Sequence, residues 1–152
     1  MSLGASVTMP LGSADRDPTI TPARMQPMQT QTPKTPHQHA DRFRRGIEQF
    51  NSGRFFDAHE TWEEIWLSSQ EPEKTFLQGI IQIAAAFHHY SRGNLLGTRS
   101  LLEAALGRLT SFPQAHNGIA LEPLRLAARQ WAASLAAQHD PGADRVPQIH
   151  LV

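Results

Sequence analysis

Asn51-Ser52-Gly53-Arg54-Phe55-Phe56-Asp57-Ala58-His59-Glu60-Thr61-Trp62-Glu63-Glu64-Ile65-Trp66 brings a turn, a helix start, two tryptophans and a His/Glu group into one short run. On a wheel of 3.6 residues per turn, Phe55, Ala58, Trp62, Ile65 and Trp66 form one apolar stripe, which predicts a helix over roughly Phe55 to Leu67. Asp57 and Glu60 fall in its first turns, where carboxylates favour the helix dipole. Upstream, Asn51-Ser52-Gly53 ends a helix of about Asp41 to Phe50 that carries Phe43, Ile47 and Phe50 on one face.

Downstream the pattern continues as helices. A third begins near Pro72, beside Glu71 and Glu73, and reaches about Tyr90. Gly93 suits a left-handed position and Asn94 caps a fourth helix, Leu95 to Leu109, with Leu95, Thr98, Leu102, Ala105, Leu106 and Leu109 on one face. After Phe112-Pro113 a fifth spans roughly Glu122 to Gln138, with Leu124, Ala127, Ala128, Trp131 and Leu135 inward, and Asp140-Pro141-Gly142 stops it. No stretch alternates like a half-buried strand. Gly53 to Trp66 aligns with Gly93 to Leu106 at an offset of 40, placing Trp62 on Leu102 and Glu63 on Glu103. The unit is a helix, a glycine turn and a helix packing back, similar to a tetratricopeptide hairpin. Two copies are too few for a solenoid, so the expected fold is all-α, a compact bundle of about five helices. Residues 1–39 hold six of the eleven prolines among Thr, Gln, Ser and Gly and read as a disordered tail. Residues 40–140 read as the helical domain and 141–152 as an irregular C-terminal tail.

Charge and composition exclude several classes. The 14 basic and 14 acidic residues cancel, so no global field points to nucleic acid or an anionic membrane. Arg42, Arg44 and Arg45 lack interleaved aromatics and read as a solvated face. There is no cysteine, hence no disulfide or thiol chemistry. The longest apolar stretch, Gly79 to Phe87, is too short to span a bilayer, and no export signal is recognisable, so a cytoplasmic location is expected.

The chemistry-bearing residues lie on helices two and three. His59 and Glu63, four apart, border the apolar stripe, with Glu60 further round. Helix three is apolar around most of its circumference, yet Gln78, Gln82 and His89 fall within one narrow stripe. Buried amides and imidazoles need partners, since an unmatched polar group costs about 1–3 kcal/mol. Three readings stay open: a solvated stripe beside a surface pair, a buried network lining a small-molecule pocket, and a metal site. In the last, His59, Glu63 and His89 would hold zinc, manganese or iron and leave a position for water. Against it, the second histidine of the zinc-protease motif and the Glu-x-x-His pairs of di-iron bundles are lacking. His88 points away from His89 on the wheel and reads as a core or rim residue. Trp62, Trp66 and Trp131 read as core anchors whose indole N–H groups seek acceptors.

Asn51-x-Gly53-x-Phe55-Phe56-x-Ala58-His59-Glu60-x-Trp62-Glu63-x-x-Trp66, then Phe76-Leu77-Gln78-Gly79-Ile80-Ile81-Gln82, His89 and Gly93-Asn94, resemble a bacterial and archaeal family known as domain of unknown function 309. The resemblance covers about residues 40–110 and implies a compact all-α domain with no established activity. The family's characteristic polar positions correspond to His59, Glu60, Glu63, Gln78, Gln82 and His89, the residues reached from the wheels.

The expectation is therefore a binding or interaction module for a small molecule or protein, organised round that polar group. The rival is a metal-dependent hydrolase-like enzyme with Glu60 as general base on metal-bound water. Phe56, off the main stripe, suggests a second contact surface such as a homodimer interface.

Overall fold

The computed structural model describes residues 36–152. Five helices account for most of them: α1 (Pro36–Asn51), α2 (Phe55–Leu67), α3 (Glu73–Ser91), α4 (Leu95–Leu109) and α5 (Leu121–Ala136). Each packs chiefly on its neighbours in the chain, α1 on α2, α2 on α3, α3 on α4 and α4 on α5. The expected N-terminal tail lies outside the described residues as far as residue 35, while Pro36 to His39 form the first turn of α1.

The stripes read from the sequence become the core. Phe43, Ile47 and Phe50 of α1, Ala58, Trp62 and Ile65 of α2, and Thr98, Leu102, Ala105 and Leu109 of α4 are all buried. α3 is the central element: Phe76, Leu77, Ile80, Ile81, Ile83, Ala84 and Phe87 are buried around its circumference. An aromatic chain ties the layers, with Phe50 against Phe55 at 5.1 Å and Phe87 edge-on to Trp131 at 5.0 Å. Trp62 lies so close to α1 that only a glycine fits opposite it, at Gly46. Two indoles find backbone acceptors: Trp62 Nε1 donates to Phe43 O at 3.1 Å and Trp131 Nε1 to Arg145 O at 2.9 Å. Gly93 takes φ +80°, and Asn94 Oδ1 then accepts from the Gly97 amide at 2.9 Å, capping α4 as its sequence implies.

Three features depart from the sequence reading. Between α4 and α5 a short antiparallel hairpin forms, β1 (Ala115–His116) and β2 (Ile119–Ala120), turning at Asn117-Gly118 with φ 53° and 83°. Two successive residues at positive φ match the twist of a tight hairpin, which is why Asn-Gly occupies it. The C-terminal segment is irregular apart from a 3₁₀ turn (Ala143–Arg145), yet it is docked. Ile149 is buried, its N–H donates to Asn51 Oδ1 at 2.8 Å and its carbonyl accepts from Asn51 Nδ2 at 2.9 Å. Leu151 bridges to Ile119, and Val152 N donates to Gly118 O at 3.0 Å. Finally, Arg125 is buried. Its guanidinium donates to the carbonyls of Leu109 and Phe112, each at 2.7 Å, and pairs with Glu122 at 2.7 Å.

Candidate binding site at the seam of α2 and α3

Contact between Phe55 and Phe87, 5.9 Å apart, sets the antiparallel register of α2 and α3. At the other end of the seam, Lys74 Nζ lies 4.2 Å over the Trp66 ring. This register puts Gln82 level with the turn of α2 that carries His59 and Glu60, and Gln78 between that level and Trp66. Gln78 and Gln82 are both half-buried.

Three polar atoms along the seam are sealed from solvent and have no hydrogen-bond partner among the described residues: His59 Nδ1, Gln82 Oε1 and Trp66 Nε1. Each costs about 1–3 kcal/mol if it stays unmet. The three differ in what they need. An indole N–H only donates, an amide oxygen only accepts, and a neutral imidazole nitrogen does either according to tautomer. Along α2, His59 and Trp66 are seven residues apart, about 10 Å along the axis, so the unmet groups form a row.

The imidazole of His59 is held below its ordinary pKa by burial, which outweighs the opposing influence of the nearby Glu60 carboxylate. At neutral pH it is an uncharged ring. It stacks under Phe56, with centroids 5.9 Å apart and planes 16° from parallel. Phe56 in turn tilts against His88 at 5.3 Å. Burial, then Arg92 and His59, push the pKa of His88 down as well.

Of the six polar residues singled out from the sequence, His59 and Gln82 present sealed, unmatched atoms to the seam. Gln78 lies half-buried beside them, and Glu60 and Glu63 are exposed on α2. His89 is set apart. It lies two residues beyond Phe87, level with the turn before α2, and its Nδ1 is 3.1 Å from Asn94 Nδ2. The wheel places it on the same stripe as Gln82, but the two are seven residues apart along α3, and His89 lies level with residues that precede the start of α2. Among the described residues no three His, Asp or Glu side chains gather to hold a metal ion, so the set His59, Glu63 and His89 is not assembled.

The sequence reading left two residues out of the site: His88, read as a core or rim residue, whose ring tilts against Phe56, and Trp66, read as a core anchor. The sequence expects the Trp66 N–H to seek an acceptor, and among the described residues it has none. Among the described residues no helix is long and apolar enough to cross a membrane.

A segment of 77 residues, half of this chain, is 34% identical to an uncharacterized protein of Aquifex aeolicus (strain VF5). That segment spans only 23% of the relative's length. A crystal structure of a conserved hypothetical protein from Thermus thermophilus superposes with a TM-score of 0.53 at 31% identity, covering 60% of this chain and 95% of that one. The family model described as domain of unknown function (DUF309) matches residues 43–101, from α1 into α4 and across the whole α2–α3 seam, and the chain belongs to that family.

Proposed function

We propose that the chain is a binding module whose α2–α3 seam takes a small polar molecule carrying both hydrogen-bond donors and acceptors. One observation supports this above the others: a donor, an acceptor and an adaptable nitrogen lie unmatched and sealed on a single helix–helix seam. Native interiors rarely leave such groups unpaired without an occupant or a functional reason. A neutral His59, shielded by Phe56, suits recognition of an uncharged group better than of an anion.

The test uses Gln82→Met, which replaces the amide with a thioether of similar volume, and Trp66→Phe, which removes the indole N–H together with its five-membered ring. Native mass spectrometry of untagged wild-type protein should show a bound small-molecule adduct that both variants lose. An adduct-free wild type with Gln82→Met more stable would overturn the reading, because a dry seam gains when an orphaned polar atom is deleted without a cavity. Stoichiometric zinc, manganese or iron that disappears in His59→Ala would overturn it in favour of the metal-dependent alternative.

A further inference from the structure

At the end of the bundle opposite His88 and His89, a groove of about 290 Å³ opens between the start of α1, the end of α2, the start of α3 and the hairpin turn. Its floor is apolar, made by Phe43, Ile65 and Leu77, all of them core residues. Its rim is polar, with His39 on one side and Glu73 and Asn117 on the other. Among the described lining residues, Glu73 carries the one full charge.

The Glu73 carboxylate is held in place. Its Oε2 lies 2.7 Å from His116 Nε2, and the His116 ring is itself gripped edge-on by Phe76 at 4.6 Å and Phe112 at 4.9 Å. A residue of the hairpin is thereby committed to positioning an acid at the mouth of an apolar groove. A carboxylate has roughly four acceptor sites and His116 occupies one, so the group retains capacity for a further donor. Glu73 also lies in the first turn of α3, where the helix dipole favours the anion.

The geometry points to this groove as a site for a small organic ammonium compound: a cationic head on Glu73 and a short apolar body over Phe43, Ile65 and Leu77. Charge complementarity selects the head, because an ammonium donating to an anchored carboxylate forms one of the stronger hydrogen bonds available to a protein. The floor selects the body, since it offers apolar contact and no polar side chain. The size of the groove, near the lower bound of about 300 Å³ for ligand sites, limits the body to one ring or a short alkyl chain. This site is separate from the α2–α3 seam and does not depend on it.

Nuclear magnetic resonance titration of the full chain with phenethylammonium, 2-phenylethanol and phenylacetate distinguishes the parts of the proposal. The ammonium should give saturable shifts at the amides of Phe43, Leu77 and Asn117, and the alcohol and the anion should bind about tenfold or more weakly. Glu73→Gln should lower ammonium affinity by about the same factor, and Gln82→Met in the seam should leave it unchanged. Equal affinity for all three compounds, no saturable shift at those amides, or undiminished binding to Glu73→Gln would each overturn it. If Glu73→Gln does not fold, the three-compound series on the wild-type chain decides alone.

Discussion

Gly46→Ala should be strongly destabilising, although alanine is the better helix former. A Cβ built on Gly46 would lie 2.5 Å from Trp62 Cε2 and 2.6 Å from Cδ1, with Nε1 in contact as well. Trp62 cannot swing aside, because its ring is fully buried and its Nε1 is bonded to Phe43 O at 3.1 Å. Either α1 lifts off α2, opening a gap, or the indole shifts and its N–H loses the acceptor. Overpacking of this kind costs about 1–3 kcal/mol, and an orphaned buried donor about 1–3 kcal/mol. Together these come to about 2–6 kcal/mol, and the gain in helix propensity returns about 1 kcal/mol, leaving a net loss of about 1–5 kcal/mol. For a domain of this size that lowers Tm by on the order of 10 °C. Gly107→Ala is the matched control: it lies on an exposed face of α4 with nothing near its Cβ position and should gain about 0.5–1 kcal/mol. Urea unfolding followed by circular dichroism and tryptophan fluorescence gives both values. A Gly46→Ala protein as stable as the wild type, beside a stabilised Gly107→Ala, would refute the packing argument.

Arg125→Lys should cost about 2–4 kcal/mol, because one ammonium cannot serve the carbonyls of Leu109 and Phe112 and the Glu122 carboxylate in the planar arrangement a guanidinium allows; an unchanged urea midpoint would contradict it. The lowered pKa of His59 makes the unfolded chain bind more protons than the folded one once pH falls through the ordinary imidazole value of 6.5. Its stabilising contribution is therefore full above that pH and declines below it, so denaturation midpoints should drop between about pH 7.5 and pH 5. His59→Gln should flatten that slope, with the remainder due to His88 and His89, which shift the same way. A slope identical to wild type would remove His59 from the account. Burial and the Asp140 carboxylate, 2.7 Å from its hydroxyl, push the pKa of Tyr90 up to about 12. The chain has a single tyrosine, so its absorbance titration is unambiguous, and a midpoint near the ordinary value of about 10 would count against that contact.

Much of the fold was legible because apolar periodicity and turn chemistry agree along most of the chain. α2 and α4 begin and end where their glycine turns and apolar stripes imply. The hairpin was hidden because two-residue strands are too short to show a period, although Asn117-Gly118 is itself a turn signal. Arg125 goes unremarked in the sequence for a different reason. A charged residue on a helix is assigned outward unless the carbonyls that would satisfy it are known, and these come from the end of α4 and the loop after it. In the site, spacing singled out His59 and Gln82, whose sealed atoms lie on the seam, and grouped His89 with them. A wheel records the direction of a side chain and not its height, and His89 lies level with residues that precede the start of α2. Arg42, read as part of a solvated face, pairs with Glu64 at the surface.

The clasp between Asn51 and Ile149 joins residues 98 apart in sequence through the two functional ends of one side-chain amide. Cleavage after Val146 would therefore be felt at the α1–α2 corner, far upstream, by freeing both halves of that amide and uncovering the pocket that Ile149 fills. The amide proton of Ile149 should accordingly serve as a remote sentinel, exchanging with solvent when that corner loosens.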